Sequence, residues 1–243
     1  MKHTLTFLFL IVLSTASFAQ KAKAQKDAIL VFSKTKGFRH QNIPVARQAL
    51  MELGLKNKIT VDTSESSAVF TADNLKKYKA VVFLSTTGNI LDEAEQAVFE
   101  QYIKKGGGFV GIHAAADTEY DWPWYNQLVG AYFLSHPKQQ NMEVVVHDHS
   151  HLSTKMLPDR WKRFDELYNY KKIVMGIKVL ATLDENTYQG GQNGQNHPFI
   201  WYREFDGGRS FYTGGGHTNE SFAEPLFLEH ILGGIKYAMG KKK

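Results

Sequence analysis

The chain has 243 residues, 43% of them hydrophobic, no cysteine and a formal net charge of +5. Without cysteine it forms no disulfide and offers no thiolate nucleophile, so stability must come from a packed core, and chemistry from histidine, carboxylate, hydroxyl or metal. The positive charge does not mark a nucleic-acid protein. Lys2, Lys21, Lys23, Lys26 and Lys241 to Lys243 lie near the two ends and outnumber the surplus, leaving a slightly acidic body; a nucleic-acid footprint needs basic residues gathered on one face.

Lys2 and His3 precede an apolar run from Leu5 to Leu13, and Ser17-Phe18-Ala19 places small residues where a signal peptidase cuts. Residues 1–19 therefore read as a signal peptide cleaved before Gln20. The run is too short to span a bilayer, so the expected product is periplasmic or secreted, with no membrane span. Residues 20–27 read as a linker, and 28–240 as a single domain without internal repeat.

Ala28-Ile29-Leu30-Val31-Phe32-Ser33 is a continuous apolar run, the signature of a strand buried on both faces. A polar loop from Lys34 to Asn42 leads into a helix opened by Pro44 and ended by Gly54. Ile59 to Thr63 is a second strand, Thr71 caps a short turn, and Ala80 to Ser85 is a third buried strand. Asp92 to Lys104 has helical periodicity, and Phe109 to His113 is a fourth strand. Strand and helix alternating in this way predict a parallel sheet covered by helices on both faces, with Ser33, Ser85 and His113 at its carboxyl edge, where such sheets bind ligands. The second half differs. Met142 to Val146, Ile177 to Leu183, Phe199 to Phe205 and Arg209 to Tyr212 read as strands, the last two as a hairpin around Asp206-Gly207-Gly208. Phe222 to Met239 reads as a closing helix, and Gly190 to Gln195 as a flexible loop able to move over a site.

The ten histidines cluster in loops and at strand ends. Gly106-Gly107-Gly108-Phe109-Val110-Gly111-Ile112-His113 ends a strand on a histidine. With Asp117 four residues on, His113 is a base with its orienter, one of two metal ligands, or a histidine satisfied by backbone. Arg39-His40 either holds an anionic or hydroxyl-rich ligand or packs on the sheet. His136 precedes a proline, hence lies in an extended loop. His147, His149 and His151 alternate as metal ligands would, or cap turns. Asp165-Glu166 lie among aromatics, which raise a carboxyl pKa, or form a solvated pair or a salt bridge with Arg160 or Arg163. Gly214-Gly215-Gly216-His217 lets the backbone approach a ligand and brings His217 to the same edge.

Five blocks in this order resemble the ThuA-like, or trehalose-utilisation, family: Gly37 to His40; Gly106 to His113; Gly130 to Phe133 with His136-Pro137; Asp165 to Tyr168; and His197-Pro198 through Trp201, Gly208-Arg209, Tyr212-Thr213 and Gly216-His217. At position 152 the chain has leucine where the family usually has proline, which weakens any role for His151. The resemblance implies an α/β, flavodoxin-like three-layer sandwich with a mainly parallel sheet, like class I glutamine amidotransferases, with extra strands in the C-terminal half. Histidine near the nucleophile position argues against glutamine hydrolysis. The family context is carbohydrate catabolism beside enzymes that make 3-keto sugars. The expected activity is cleavage or isomerisation of a 3-keto sugar or 3-keto-glycoside, assisted by histidine and carboxylate and by a divalent metal, with no nucleotide or flavin. The expected roles are His113, Glu166 and His217 in catalysis; Arg39, His40, Asp117, Trp122 and Tyr168 at the substrate; and His113, His136 and His217 on a metal. The partner is a carbohydrate, not a nucleic acid, and a homo-oligomer is compatible. Two rivals remain: a non-catalytic sugar-binding protein, and a metal-dependent hydrolase of another substrate. An ordinary glycosidase needs two carboxylates flanking the bond, whereas Asp165 and Glu166, adjacent in a strand, point to opposite faces.

Overall fold

A computed structural model describes residues 27–241. The expected signal peptide, and the linker up to residue 26, lie outside the described residues. Asp27 is fixed between Lys79 and Lys241, each at 2.7 Å, so one tail lysine serves as a structural counter-ion. Among the described residues no helix is long and apolar enough to cross a membrane.

The four expected strands form as β1 (Ala28–Phe32), β2 (Thr60–Ser64), β3 (Ala80–Leu84) and β4 (Gly108–Ile112). β1, β3 and β4 are buried at every residue, while β2 carries polar residues and is half exposed because it ends the sheet. Seven strands follow: β5 (Tyr132–Ser135), β6 (Gln140–Val146), β7 (Arg160–Asp165), β8 (Asn169–Lys171), β9 (Lys178–Leu183), β10 (Pro198–Phe205) and β11 (Gly208–Thr213). The main sheet runs β2-β1-β3-β4-β11-β10-β9-β6-β7. It is parallel from β2 to β11 and antiparallel beyond. β5 and β8 form a separate ribbon.

Alternate residues of the parallel strands feed two cores. Ile29, Val31, Val82 and Val110 pack under α1 (Ile43–Lys56) and α5 (Pro225–Ala238). Leu30, Phe32, Val81 and Phe83 pack under α2 (Ala72–Leu75), α3 (Glu93–Lys104) and α4 (Pro123–Val129). This is the expected three-layer sandwich. Asp92 caps α3 in a reciprocal box with Glu95. Asp206 and Gly207, both with positive φ, form the expected β10–β11 turn. Gly234 lets α5 lie on β11, since a Cβ there would stand 2.2 Å from Phe211.

The C-terminal half departs from expectation in specific places. Pro225 splits the closing helix, leaving a 3-10 turn at Glu220–Ala223 before α5. β7 escapes sequence reading because its inward residues are Trp161, Arg163 and Asp165, and its outward ones include Phe164. The Gly190–Gln195 loop is tied down: Asn193 accepts from Tyr170 N (2.8 Å) and donates to Tyr170 O (2.9 Å). The three histidines after β6 diverge, to Thr182, to Asp159 and to Ser153, and share no centre.

His230 of α5 is fully buried, and burial pushes its pKa down to about 3. The unfolded chain takes up this proton near pH 6.5 and the folded one does not. The stabilising contribution is therefore whole above pH 6.5 and is lost as pH falls towards 3. Urea unfolding from pH 7 to 4 should show wild-type stability falling more steeply than that of His230→Gln, by up to about 1.4 kcal/mol per pH unit; parallel slopes would refute this account.

Candidate functional site

β4 delivers His113 to the carboxyl edge of the sheet. The chain turns there with φ +50° at His113, a conformation a non-glycine residue holds only when its surroundings impose it. The Tyr212 hydroxyl donates to the His113 carbonyl at 2.7 Å and supplies that constraint. The His113 ring lies 3.1 Å through Nδ1 from the Gly214 carbonyl. A carbonyl only accepts, so Nδ1 carries the proton and Nε2 presents a lone pair.

Nε2 of His113 faces three other groups. It is 3.2 Å from His40 Nε2, 3.1 Å from His217 Nδ1 and 3.5 Å from Glu166 Oε2. His217 Nδ1 lies 3.1 Å from the same Glu166 oxygen. The three imidazoles stand nearly perpendicular to one another, with centroids 4.9 to 5.0 Å apart. Each member comes from a different segment: His40 after β1, His113 after β4, Glu166 after β7 and His217 after β11.

One buried carboxylate builds this meeting point. Asp165 ends β7 and accepts from the backbone N–H of Gly216 (2.8 Å), His217 (2.9 Å) and Glu166 (3.0 Å). Arg163 (3.2 Å) and the Ser221 hydroxyl (3.0 Å) complete its shell. Gly216 has φ +111°, which suits glycine and not a Cβ-bearing residue. Asn42 donates to the Gly216 carbonyl, joining the His40 loop to the His217 loop.

Burial and the neighbouring His113 and His217 push the His40 pKa down to about 2. Burial alone would raise the Glu166 carboxyl, but the adjoining His113 and His217 rings, when they carry an added proton, outweigh it and hold the group below the usual carboxylate range.

The donor set fits a divalent cation. Ligands about 2.1 Å from one ion stand about 3.0 Å apart at right angles and about 3.4 Å apart in a tetrahedron, and four pairs here lie at 3.1 to 3.5 Å. All four donor atoms fall within 4.8 Å of one another. A proton joins only two of them, whereas a cation meets all four. Imidazole with carboxylate suits a first-row divalent ion, and His113 Nδ1 on Gly214 O is the kind of outer contact that orients a metal-binding histidine.

The structure keeps His113, His217 and Glu166 together and redistributes the remaining expected roles. His40, expected at substrate hydroxyls, completes the metal-type cluster. His136, expected on the metal, stands outside it: the ring is exposed, with Nδ1 3.1 Å from Glu166 Oε1 and 3.0 Å from Pro137 O. Both are acceptors, so Nδ1 carries the proton and Nε2 the lone pair. Arg39 is held by Glu65 at 2.7 and 3.1 Å and does not serve the cluster. Trp122 is buried in the α3–α4 layer, donating to Glu100 and stacked on Trp124, with no face for a sugar. Tyr168 is buried between His113 (4.4 Å) and Phe133 (4.3 Å) and braces the His113 ring; His197 anchors its carbonyl at 2.8 Å. Asp117 accepts from the Tyr120 hydroxyl at 2.5 Å. Burial raises its carboxyl despite that bond.

The comparisons with known proteins agree with this fold. The ThuA family model, described as trehalose utilisation, matches residues 28–238. The chain belongs to the ThuA family. That membership places it in carbohydrate utilisation. A ThuA-like protein from Bacteroides uniformis superposes with a TM-score of 0.75 at 24% identity, over 93% of this chain and 96% of that one. Another from Parabacteroides merdae gives 0.76 at 22% identity, over 90% and 92%. The fold recurs as 32% of a β-galactosidase from Bacillus circulans, with a TM-score of 0.59 at 13% identity, over 89% of this chain. No curated protein matches the chain by sequence.

Replacing Asp165 by Asn leaves Arg163 without its buried partner and turns amide donors on one another. Asp165→Asn should cost about 3 kcal/mol in urea unfolding; a cost under about 1 kcal/mol would show that the loop is held by other contacts.

Proposed function

We propose that this protein is an exported enzyme of carbohydrate catabolism that cleaves 3-keto-glycosides by elimination and hydration. The observation that carries the reading is the convergence of His40, His113, His217 and Glu166 on one point beside the exposed ring of His136. A sugar oxidised at C3 has an acidified proton on C2. Removing it moves the C2–H electron pair into an enediolate, and breaking the C1–O bond then leaves a 1,2-unsaturated 3-ketone. Water adds oxygen to C1 and a proton to C2, which completes net hydrolysis.

His136 is placed to accept the C2 proton at Nε2, since Nδ1 is already committed to acceptors. The imidazolium so formed can return the proton to the departing oxygen. Glu166 fixes the ring through Oε1 while Oε2 faces His113 and His217. A divalent cation held by His40, His113, His217 and Glu166 would supply positive charge for the enediolate oxygens. The apolar run Leu5–Leu13 before Ser17-Phe18-Ala19 supports the exported address.

Mature protein is assayed with a 3-keto disaccharide as purified, after a chelator, and after return of Zn2+, Mn2+ or Fe2+, with bound metal measured on the same samples. About one ion per chain, turnover lost with the chelator and turnover restored by metal are expected. His113→Ala should lower turnover at least about 100-fold with the fold intact by circular dichroism. Full turnover without bound metal would remove the cation from the reading, and no turnover under any condition would remove the activity.

A further inference from the structure

Beside the cluster lies a cavity of about 330 Å3 that none of these roles uses. Its walls come from the loops after β1 and β11 and from Gln139 of the β5–β6 loop, and His217 is common to it and to the cluster. The volume lies at the small end of the range for ligand sites, about 300 to 1,000 Å3.

Three features of the lining point to one kind of ligand. Phe38 is 63% exposed, its ring perpendicular to His40 at 4.9 Å. A phenyl held out at the mouth of a polar cleft suits a ligand with an apolar face. Asn42 is 2% exposed, with its amide nitrogen on Gly216 O and its Oδ1 unpartnered. A buried acceptor without a donor is costly unless a ligand provides one. Gln41, Gln139 and Asn219 add exposed side-chain amides that make no hydrogen bond among the described residues. A pyranose ring answers all three demands, offering C–H bonds on its faces and hydroxyls around its rim. Glu220 on the wall favours a neutral ring over an acidic one.

We infer that this cleft is the subsite for the leaving sugar, with Phe38 against the ring face and Asn42 Oδ1 accepting from a ring hydroxyl. The inference rests on the proposed cleavage for the word "leaving". The pyranose site itself stands on the cleft alone. The protein therefore prefers disaccharides to simple alkyl glycosides, and discriminates on the leaving side through Phe38.

The test compares kcat/KM for a neutral 3-keto disaccharide with that for the methyl 3-keto-glycoside of the same reacting sugar, in wild type and in Phe38→Ala. Phe38 is exposed, so its truncation spares the core. The ratio of the two values should exceed unity in wild type and fall about tenfold in the variant. An unchanged ratio, or equal losses on both substrates, would overturn the subsite. If wild type turns over neither substrate, the cleavage reading fails by itself. The cleft is then probed by calorimetry with the unoxidised disaccharide: binding that weakens in Phe38→Ala supports a pyranose site, and absence of binding overturns it.

Discussion

The Asp165 carboxylate accepts three backbone N–H groups, two of them from the loop that carries His217. This single buried charge makes the rest of the site possible. Three imidazoles and a carboxylate do not gather within a few ångströms of one another unaided, because each would be better solvated apart. Asp165 pins the His217 loop on one side while Glu166, the next residue, faces the cluster. The last residue of β7 and the one after it thus take different tasks, Asp165 holding backbone and Glu166 facing the histidines. Arg163 pays for burying Asp165, and its guanidinium is itself sandwiched between Trp161 and Phe227 at 4.4 Å from each ring.

The other supports act on backbone in the same way. Tyr212 holds the carbonyl of the strained His113, Asn42 holds the carbonyl of Gly216, and His197 holds the carbonyl of Tyr168. Each ties one loop at this edge to a neighbouring element. The result is preorganisation: the three imidazoles and the Glu166 carboxylate are held together by the fold itself. The glycine-rich Gly190–Gln195 segment is tethered in the same way. Its amide and backbone groups are spent on β8 and Glu185.

Much of this was legible in the chain. Continuous apolar runs marked β1, β3 and β4, helical periodicity from Asp92 marked α3, and Asp206-Gly207 marked the hairpin. A histidine closing a buried strand, and another after three glycines, marked His113 and His217 as neighbours at one edge. What escaped was encoded against the usual pattern. β7 turns charge inward and phenylalanine outward, so alternation of hydrophobicity is inverted there. Trp122 read as a sugar platform because an aromatic residue carries no label for core or surface, and its burial under α3 and α4 is settled only by packing.

The sequence by itself determined the layered α/β architecture, the absence of thiol chemistry and the edge of the sheet at which the histidines gather, because those follow from periodicity, composition and the direction of parallel strands. Only the tertiary structure decided which histidines meet. His40 and His136 both reach that edge. The first lies beneath Phe38 with its Nε2 3.2 Å from His113, and the second is turned to solvent on the far oxygen of Glu166. The physical reason is that the four converging atoms come from residues as far apart in the chain as His40 and His217. Their separation is fixed by strand register, by the buried Asp165 and by loop closure, none of which leaves a local mark on the chain.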